Sequence, residues 1–440
     1  MEPSILGIFG VVLLFVLLAV GVHIGVALGL VGVIGSGMIV GLDAAIASAV
    51  QTVYHKVASF ELITIPLFIL MGYLASAGGI SAKVFQSLNQ WVGRFKGGLG
   101  ISTVISCTAF GTVCGSSIVT ASVFSRICAP EMRKFGYEKK IAYGICASGG
   151  MIGMLIPPSI LMVVYGVLAG ESIGRLLIAG VVPGLMLMVV FSLTILLLSK
   201  YRTDLIHDGP EIEQPSLAHK LKGLLGIWQI WVVALVVFGG IFGGVFNPTE
   251  AAAVASAFLL MLLAATRWRD IRDLLTESFQ ETASTSAMIF LVMGGAAVFS
   301  QFLVLTGLTE LVASYVTGLA LPVLALIWIL VLVYTLLGCF LDSISMLCIT
   351  VPIFNPILDT YGVDTIWYAV VVIMSIEAGL ITPPVGLNVY GAYAVAEPDV
   401  TLEQIFQGVL PFFLSVWVVI ALLIFFPSFS TALPTLMLGK

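Results

Sequence analysis

Charged residues are scarce in this sequence. Aspartate, glutamate, lysine and arginine make up 9% of its 440 residues, whereas hydrophobic residues make up 60%. A soluble protein carries roughly a quarter charged residues, because its surface must face water. The shortage therefore excludes an ordinary soluble domain. Apolar runs of about 20 residues recur from Ile5 to Phe426 and predict a polytopic helical membrane protein.

Sequence motifs for nucleotides and metals are missing as well. No G-x-x-x-x-G-K-[ST] loop occurs, so we expect no direct coupling to ATP. The six cysteines form no C-x-x-C pair, and the four histidines are scattered. The start, MEPSILGIFGVVLL, has no basic n-region, and we expect a first membrane helix there and no cleaved signal peptide. We also expect no enzyme, no cofactor and no nucleic-acid partner.

Basic residues are nearly confined to the first two thirds of the chain. Seventeen of the eighteen lysines and arginines lie at or before Arg272. Fourteen of these seventeen form four clusters: Lys83/Arg94/Lys96, Arg133/Lys134/Lys139/Lys140, Lys200 to Lys222, and Arg267/Arg269/Arg272. The positive-inside rule places these clusters on the cytoplasmic face. Residues 97–130 thus have two cytoplasmic ends and predict a re-entrant hairpin, while residues 320–358 lack flanking basic residues and predict a hairpin from the opposite side.

A double proline occurs twice in long apolar segments, at Pro157-Pro158 and at Pro383-Pro384. The same offset of 226 positions relates Gly153 to Gly379. One further residue of offset aligns GTVCGSSI (111–118) with GCFLDSIS (338–345). Together with the opposed hairpins, this pattern predicts two inverted repeats, 1–200 and 226–428, with a polar linker at 201–225 and a tail at 429–440.

The predicted fold is an all-α membrane protein with about ten full spans, two opposed re-entrant hairpins and two broken helices. The broken helices are 137–169 and 363–396, each opened by its double proline. Counting outward from the cytoplasmic linker places both termini outside. The predicted spans are 5–21, 25–41, 58–76, 137–169, 174–199, 226–245, 249–266, 284–305, 363–396 and 404–426.

The hairpins and breaks carry oxygen atoms suited to a hard cation. Ten serines and threonines lie between Ser102 and Ser125, and the second hairpin carries Asp342 at its expected tip. Oxygen ligands without cysteine or histidine suit sodium, and a carboxylate within the membrane is costly enough to suggest a function. A simple kink is the alternative for each double proline, but the repetition disfavours it. For Glu377, a functional role and a packed, paired group both stay open.

Four segments resemble the large membrane subunit of tripartite ATP-independent periplasmic (TRAP) transporters, DctM type. They are FGTVCGSSIVTAS, GMLIPPSILMVVYG, LGCFLDSISM and GLITPPVGLNVYG. The resemblance, which covers essentially the whole chain, implies the ion-transporter-superfamily fold, with a scaffold and a transport domain that moves as an elevator. It also implies sodium-coupled import of a carboxylate-bearing metabolite across the bacterial inner membrane. The implied partners are a separate small four-helix membrane subunit and a periplasmic substrate-binding protein.

The site residues follow from these tips and breaks and from the family's pattern. The expected sodium-binding residues of the first half are Gly111, Gly115, Ser116, Ser117, Ile156, Pro157 and Ser159. Those of the second half are Gly338, Asp342, Ser343, Ser345, Thr382 and Pro383. The expected substrate region comprises Ser116, Ser159, Thr382 and Asn388.

Two other functions are compatible with parts of the pattern. A stand-alone sodium–dicarboxylate symporter of the same superfamily would need no binding protein, but its hairpin tips are expected to read Ser-Asn-Thr. A proton-translocating respiratory subunit needs lysine, glutamate and histidine across the membrane. Here Asp342 and Glu377 have no lysine partner in sequence. A channel is disfavoured, because paired opposed hairpins imply alternating access.

Overall fold

The computed structural model describes residues 3–93, 95–206 and 216–438. Arg94 of the first basic cluster, residues 207–215 of the predicted linker and residues 439–440 of the tail lie outside the described residues. Within the described ranges the chain forms helices and turns, with one isolated bridge between Tyr137 and Ile206. The prediction of an all-α polytopic chain is therefore confirmed.

The helices of the first half begin at Pro3 and end at Tyr201, with one turn of 3-10 helix at Phe60–Ile63. They are α1 Pro3–Ala19, α2 Ile24–Val40, α3 Leu42–Val57, α4 Thr64–Ala77, α5 Ile80–Val92, α6 Gly98–Cys114, α7 Ser117–Lys134, α8 Lys139–Gly150, α9 Ile152–Leu155, α10 Ile160–Ala169, α11 Ile173–Ala179 and α12 Val181–Tyr201.

The helices of the second half begin at Leu217, and Leu235–Gly239 forms a π-helical turn between two of them. They are α13 Leu217–Gly226, α14 Trp228–Ala234, α15 Gly240–Phe242, α16 Pro248–Thr266, α17 Ile271–Leu305, α18 Leu308–Gly318, α19 Val323–Gly338, α20 Ser343–Thr360, α21 Thr365–Gly379, α22 Leu387–Tyr393, α23 Leu402–Phe425 and α24 Ser428–Leu438.

Six helices of the described residues are long and apolar enough to cross a membrane, or eight if each of two bent pairs is one span. One bent pair is the first broken helix, whose halves Lys139–Leu155 and Ile160–Ala169 meet at 44°. Further apolar helices, such as α1 and α2, have 17 residues each. The count of ten crossings stays a prediction.

A short connection separates the two helices of each predicted hairpin, and both double prolines lie in breaks between helices. That these helix pairs are re-entrant hairpins stays a prediction. Gly115 and Ser116 separate α6 from α7, and residues 339–342 separate α19 from α20. The first broken helix opens at residues 156–159 and the second at residues 380–386. We call these the first tip (111–117), the first loop (156–159), the second tip (338–345) and the second loop (380–386).

The two halves interlock through matching helices. In the first half, α10 follows the loop and packs against α20 of the second hairpin; in the second half, α22 follows the loop and packs against α7 of the first hairpin. A second group of helices packs beside this hairpin assembly, with α17 lying along α2, α3 and α4, and α16 against α4. We call that second group the flanking helices.

Several helices were not predicted, because they are too short or too polar for a search based on long apolar runs. The amphipathic α5 buries Ile80, Val84 and Phe85 and packs against α6. Helix α3 carries His55 and Lys56 in its last turn. All but one residue of helix α13 lies within the predicted linker, and all but one residue of α24 lies within the predicted tail. Apolar positions at helical spacing are the signal that could have identified α5.

Candidate functional site

The first tip packs directly against the first loop through glycine. A Cβ atom added to Gly111 would lie 2.5 Å from the Cα of Gly153, and one added to Gly115 would lie 2.5 Å from the carbonyl oxygen of Pro158. Gly115 ends α6 with a φ of +63°, in the left-handed region that favours glycine. Glycine therefore lets the backbone of the tip contact the backbone of the opened helix.

Two serines begin the helices that leave the first tip and the first loop. Ser116 Oγ accepts a hydrogen bond from the backbone N–H of Val119 at 3.4 Å, and Ser159 Oγ accepts one from Met162 at 3.3 Å. Serine is a favoured N-cap because its oxygen satisfies a free N–H of the first turn. The predicted residues Ser116 and Ser159 thus stand at two helix N-termini, where the helix dipole favours an anion.

A small cavity of about 50 Å³ adjoins the first tip. Cys114, Ser116 and Ile160 line it on the hairpin side. Tyr73 of α4 and Thr285 of α17 line it on the side of the flanking helices. The cavity therefore lies between the hairpin assembly and the flanking helices, next to a residue of the predicted substrate region.

The second tip repeats the same backbone contact. A Cβ atom added to Gly338 would lie 3.0 Å from the Cα of Gly379, and one added to Gly379 would lie 2.6 Å from the Cα of Gly338. Gly338 and Gly379 are the repeat equivalents of Gly111 and Gly153. The backbone N–H of Val385 also donates to the carbonyl of Cys339 at 3.2 Å, which joins the second loop to the second tip.

The carboxylate of Asp342 caps its own helix. Its Oδ1 accepts a hydrogen bond from the backbone N–H of Ser345 at 3.0 Å. Ser345 is buried, and its hydroxyl has no hydrogen-bond partner. In the second loop, the hydroxyl of Thr382 donates to the carbonyl of Ala378 at 2.7 Å. The second region thus combines a half-buried carboxylate with an unbonded hydroxyl.

Glu377 brings together two predicted residues that belong to different regions. It is fully buried in α21. Ser117 Oγ donates to its Oε1 at 3.2 Å, and Asn388 Nδ2 donates to its Oε2 at 3.4 Å. The prediction left the role of Glu377 open, although a carboxylate inside the run IMSIEAGLI was the available signal. Which side chains of the other half face it could not be derived from spacing.

An ion-pair cluster joins the two halves outside the apolar segments. Arg133, at the end of α7, donates to both carboxylate oxygens of Asp399 at 3.0 and 2.8 Å and also pairs with Glu397. The hydrogen bond from Arg133 holds the pKa of Asp399 below its ordinary value. Lys139 donates to the backbone carbonyl of Asp399 at 2.5 Å. By the positive-inside prediction, this cluster is cytoplasmic.

The chain matches the family described as "Tripartite ATP-independent periplasmic transporter, DctM component" over residues 11–429. It is 33% identical to the C4-dicarboxylate TRAP transporter large permease protein DctM of Pseudomonas aeruginosa, covering 85% of this chain and 86% of that one. It is 30% identical to the sialic acid TRAP transporter large permease protein SiaM of Vibrio cholerae, covering 89% of this chain and 90% of that one.

A longer relative is the isethionate TRAP transporter permease protein DctMQ of Oleidesulfovibrio alaskensis. It is 30% identical over 92% of this chain but only 62% of its own length. The fold is similar to that in the crystal structure of the YdaH transporter of Alcanivorax borkumensis, with a TM-score of 0.64 and 16% identity over 98% of this chain and 99% of that one. At that identity the similarity concerns the fold alone.

These matches extend over nearly all of the chain and include both tips and both loops. The residues that carry the resemblance in sequence are also those that make the paired glycine contacts in the structure. The family consists of multi-pass transporter components and not of enzymes. The chain belongs to the DctM family, the large permease component of tripartite ATP-independent periplasmic transporters.

Proposed function

We propose that this chain carries a carboxylate-bearing metabolite into the bacterial cell, driven by sodium, as the permease of a three-component importer in the inner membrane. One observation supports this best: each tip lies on the opened helix of its own half through paired glycines, Gly111 with Gly153 and Gly338 with Gly379. Such a contact gathers carbonyl and hydroxyl oxygens at one point, which is what a sodium site needs.

The first sodium site lies between the first tip and the first loop. Its candidate residues are Gly111, Gly115, Ser116, Ser117, Ile156, Pro157 and Ser159. The close approach of Gly115 to the carbonyl of Pro158 brings tip and loop oxygens within reach of one ion. The whole first loop is buried, so an ion there would be screened little by water.

The second sodium site lies between the second tip and the second loop. Its candidate residues are Gly338, Asp342, Ser343, Ser345, Thr382 and Pro383. The Asp342 carboxylate supplies the charge, and the unbonded hydroxyl of Ser345 supplies a free oxygen. Bound sodium would offset the cost of holding that carboxylate within the membrane.

The substrate binds at the face where the tips meet the flanking helices. Ser116 lines the cavity there, and the candidate substrate residues are Ser116, Ser159, Thr382 and Asn388. A carboxylate would benefit from the helix N-termini that Ser116 and Ser159 cap. The relatives are named for C4-dicarboxylate, sialic acid, ectoine and isethionate, and the last of these carries a sulfonate in place of a carboxylate. The hairpin assembly moves as an elevator against the flanking helices and alternately exposes this face.

Two partners complete the importer: a small four-helix membrane subunit and a periplasmic protein that delivers the substrate. This chain spans 62% of the length of the longer relative DctMQ.

Reconstitution in liposomes tests the proposal. The three components are combined, and uptake of labelled sialic acid, a labelled C4-dicarboxylate and labelled ectoine is measured under an imposed sodium gradient. We expect one cargo class to accumulate in the liposomes. The energy for this accumulation comes from sodium entry, since each sodium ion crossing down the membrane potential contributes about 2.3 kcal/mol per 100 mV. A proton gradient alone and ATP alone are the controls. Equal uptake without sodium would contradict sodium coupling, and uptake without the binding protein would favour a stand-alone symporter.

A further inference from the structure

The carboxylate of Glu377 connects the two proposed ion regions. Its two oxygens accept hydrogen bonds from Ser117 and Asn388, at 3.2 and 3.4 Å. Ser117 is the last residue of the first tip. Asn388 stands in the first turn of α22, directly after the second loop. One buried side chain therefore touches an element next to each proposed sodium site.

The partners of Glu377 supply no positive charge. Both donors are neutral, and among the residues that the structure describes no ion pair reaches this carboxylate. Asn388 is also fully buried, yet its Oδ1 has no hydrogen-bond partner. Buried polar atoms are normally bonded, and an apolar residue would pack here at lower cost. Packing alone does not account for a glutamate at this position.

The surrounding backbone is packed tightly enough to transmit a displacement. A Cβ atom added to Gly150 of α8 would lie 2.5 Å from the carbonyl oxygen of Ser117, and one added to Gly391 of α22 would lie 3.0 Å from Ile118 Cγ2. The backbone N–H of Asn388 donates to the carbonyl of Leu380 at 3.0 Å, which ties α22 to the end of α21. A displacement of Ser117 would therefore displace α8 in its own half and, through Ile118, α22 in the other half.

We propose that Glu377 is a positioning residue that couples the two sodium sites. This inference rests on the proposed sodium coupling. An ion at the first tip fixes Ser117, which fixes the carboxylate of Glu377, which in turn orients Asn388 and the second loop. Linkage makes the effect reciprocal, so an ion at the second site favours binding at the first to the same degree.

Sodium titrations of the purified full-length chain test the coupling. The melting temperature is followed as sodium chloride replaces choline chloride at constant ionic strength. For wild type we expect a sigmoidal dependence on sodium. Glu377→Gln keeps the shape of the side chain but replaces the carboxyl group with an amide. We expect its Hill coefficient to approach about 1 and its half-effect concentration to rise by roughly 5–150-fold.

A structural role alone would lower the melting temperature without sodium and leave the steepness of the titration unchanged. The coupling role predicts a less steep sodium titration and a sodium-free melting temperature no lower than that of wild type. Glu310→Gln, at an exposed position of α18, is the matched control and should behave as wild type. If Glu377→Gln does not fold, Glu377→Met provides an apolar side chain of similar length and should show the same loss of steepness.

The outcomes separate this inference from the proposed function. Wild-type steepness and half-effect concentration in both Glu377 variants would overturn the coupling role while leaving sodium binding intact. A wild-type protein whose melting temperature does not respond to sodium would overturn the sodium proposal, and the coupling role with it. Loss of steepness in the Glu377 variants, but not in Glu310→Gln, would support the inference.

Discussion

The two loops that follow the broken helices differ in burial, although both contain a double proline. Residues 156–159 of the first loop are all buried, whereas Pro383 and Pro384 of the second loop are exposed. The two hairpins also differ in how their helices pack. The arms of the first pack along each other, whereas in the second α19 packs on α21 and α20 packs mainly on α10 and α18. The two regions therefore share the glycine contact and differ in the enclosure around it.

We propose that the two regions contribute differently to ion binding. The enclosed first region would offer neutral serine oxygens, while the more open second region carries the only carboxylate among the candidate ion residues, Asp342. An exposed site exchanges ions with its surroundings more readily, and a charged ligand can hold an ion there despite solvent. We expect mutations in the second region to affect ion binding most and those in the first region to affect stability most.

The largest expected effect comes from Asp342→Asn. This change keeps the shape of the side chain and one acceptor oxygen but removes the carboxylate charge. The contact of a charged group with its partner contributes about 1.5–3 kcal/mol. We expect sodium-dependent stabilisation to require roughly 10–100-fold more sodium, with near-normal expression. Sodium titration of the melting temperature measures it. Asp359→Asn, exposed near the end of the same helix, is the control. An unchanged titration would make Asp342 a structural helix cap only.

A smaller effect is expected from alanine at the paired glycines. Gly111→Ala places a Cβ atom 2.5 Å from the Cα of Gly153, while Gly338→Ala places one 3.0 Å from the Cα of Gly379. We expect Gly111→Ala to cost about 1–3 kcal/mol of stability, the usual range for overpacking, and Gly338→Ala to cost less. Thermal unfolding measures both. Gly29→Ala, whose Cβ would meet its nearest atom at 3.9 Å, is the control.

Equal losses at Gly111 and Gly338 would contradict the difference in enclosure between the two regions. A larger loss at Gly338 would reverse it and assign the tighter contact to the open half.

A more modest effect is expected from Ser116→Ala. Loss of the N-cap bond to Val119 costs about 0.5–2 kcal/mol of stability. If Ser116 also contributes an oxygen to sodium, the titration should shift to higher sodium as well. Ser172→Ala, which removes the N-cap of α11 away from both tips, provides the comparison. A stability loss without any change in sodium dependence would restrict Ser116 to capping.

The smallest expected effect concerns Asp399, which is exposed and joins the halves through Arg133. Because its pKa is lowered in the folded protein, its contribution to stability is present above the ordinary aspartate value, about 4, and is lost as pH falls through the lowered pKa. Asp399→Asn should lower the melting temperature slightly at neutral pH, and this difference from wild type should shrink as pH falls, so that the acid limb of the melting profile flattens. An exposed pair is screened by salt, so the wild-type limb should also flatten at high salt. An identical acid limb in the variant would exclude this contribution.

Much of the architecture could be predicted, because a bilayer imposes length and polarity on every segment. The double prolines predicted the two helix breaks that the structure contains, while the opposed hairpins inferred from the basic clusters stay a prediction. The short helices α5 and α13 were not predicted, since their amphipathic faces depend on neighbours that apolar run length does not report. For the candidate site, spacing identified Ser117 and Asn388 separately. Only packing across the halves placed both on Glu377.

The glycine pairs have a consequence for redesign. Because Gly111 meets Gly153 and Gly338 meets Gly379 backbone to backbone, the frame that holds each tip does not depend on the side chains displayed there. Half-exposed residues such as Ser116 and Thr382 can therefore be exchanged while the frame persists. An engineer seeking a permease for a new metabolite would keep these four glycines fixed and randomise the displayed positions. Selection would then act on the chemistry of the cargo, while the backbone frame of each tip stays unchanged.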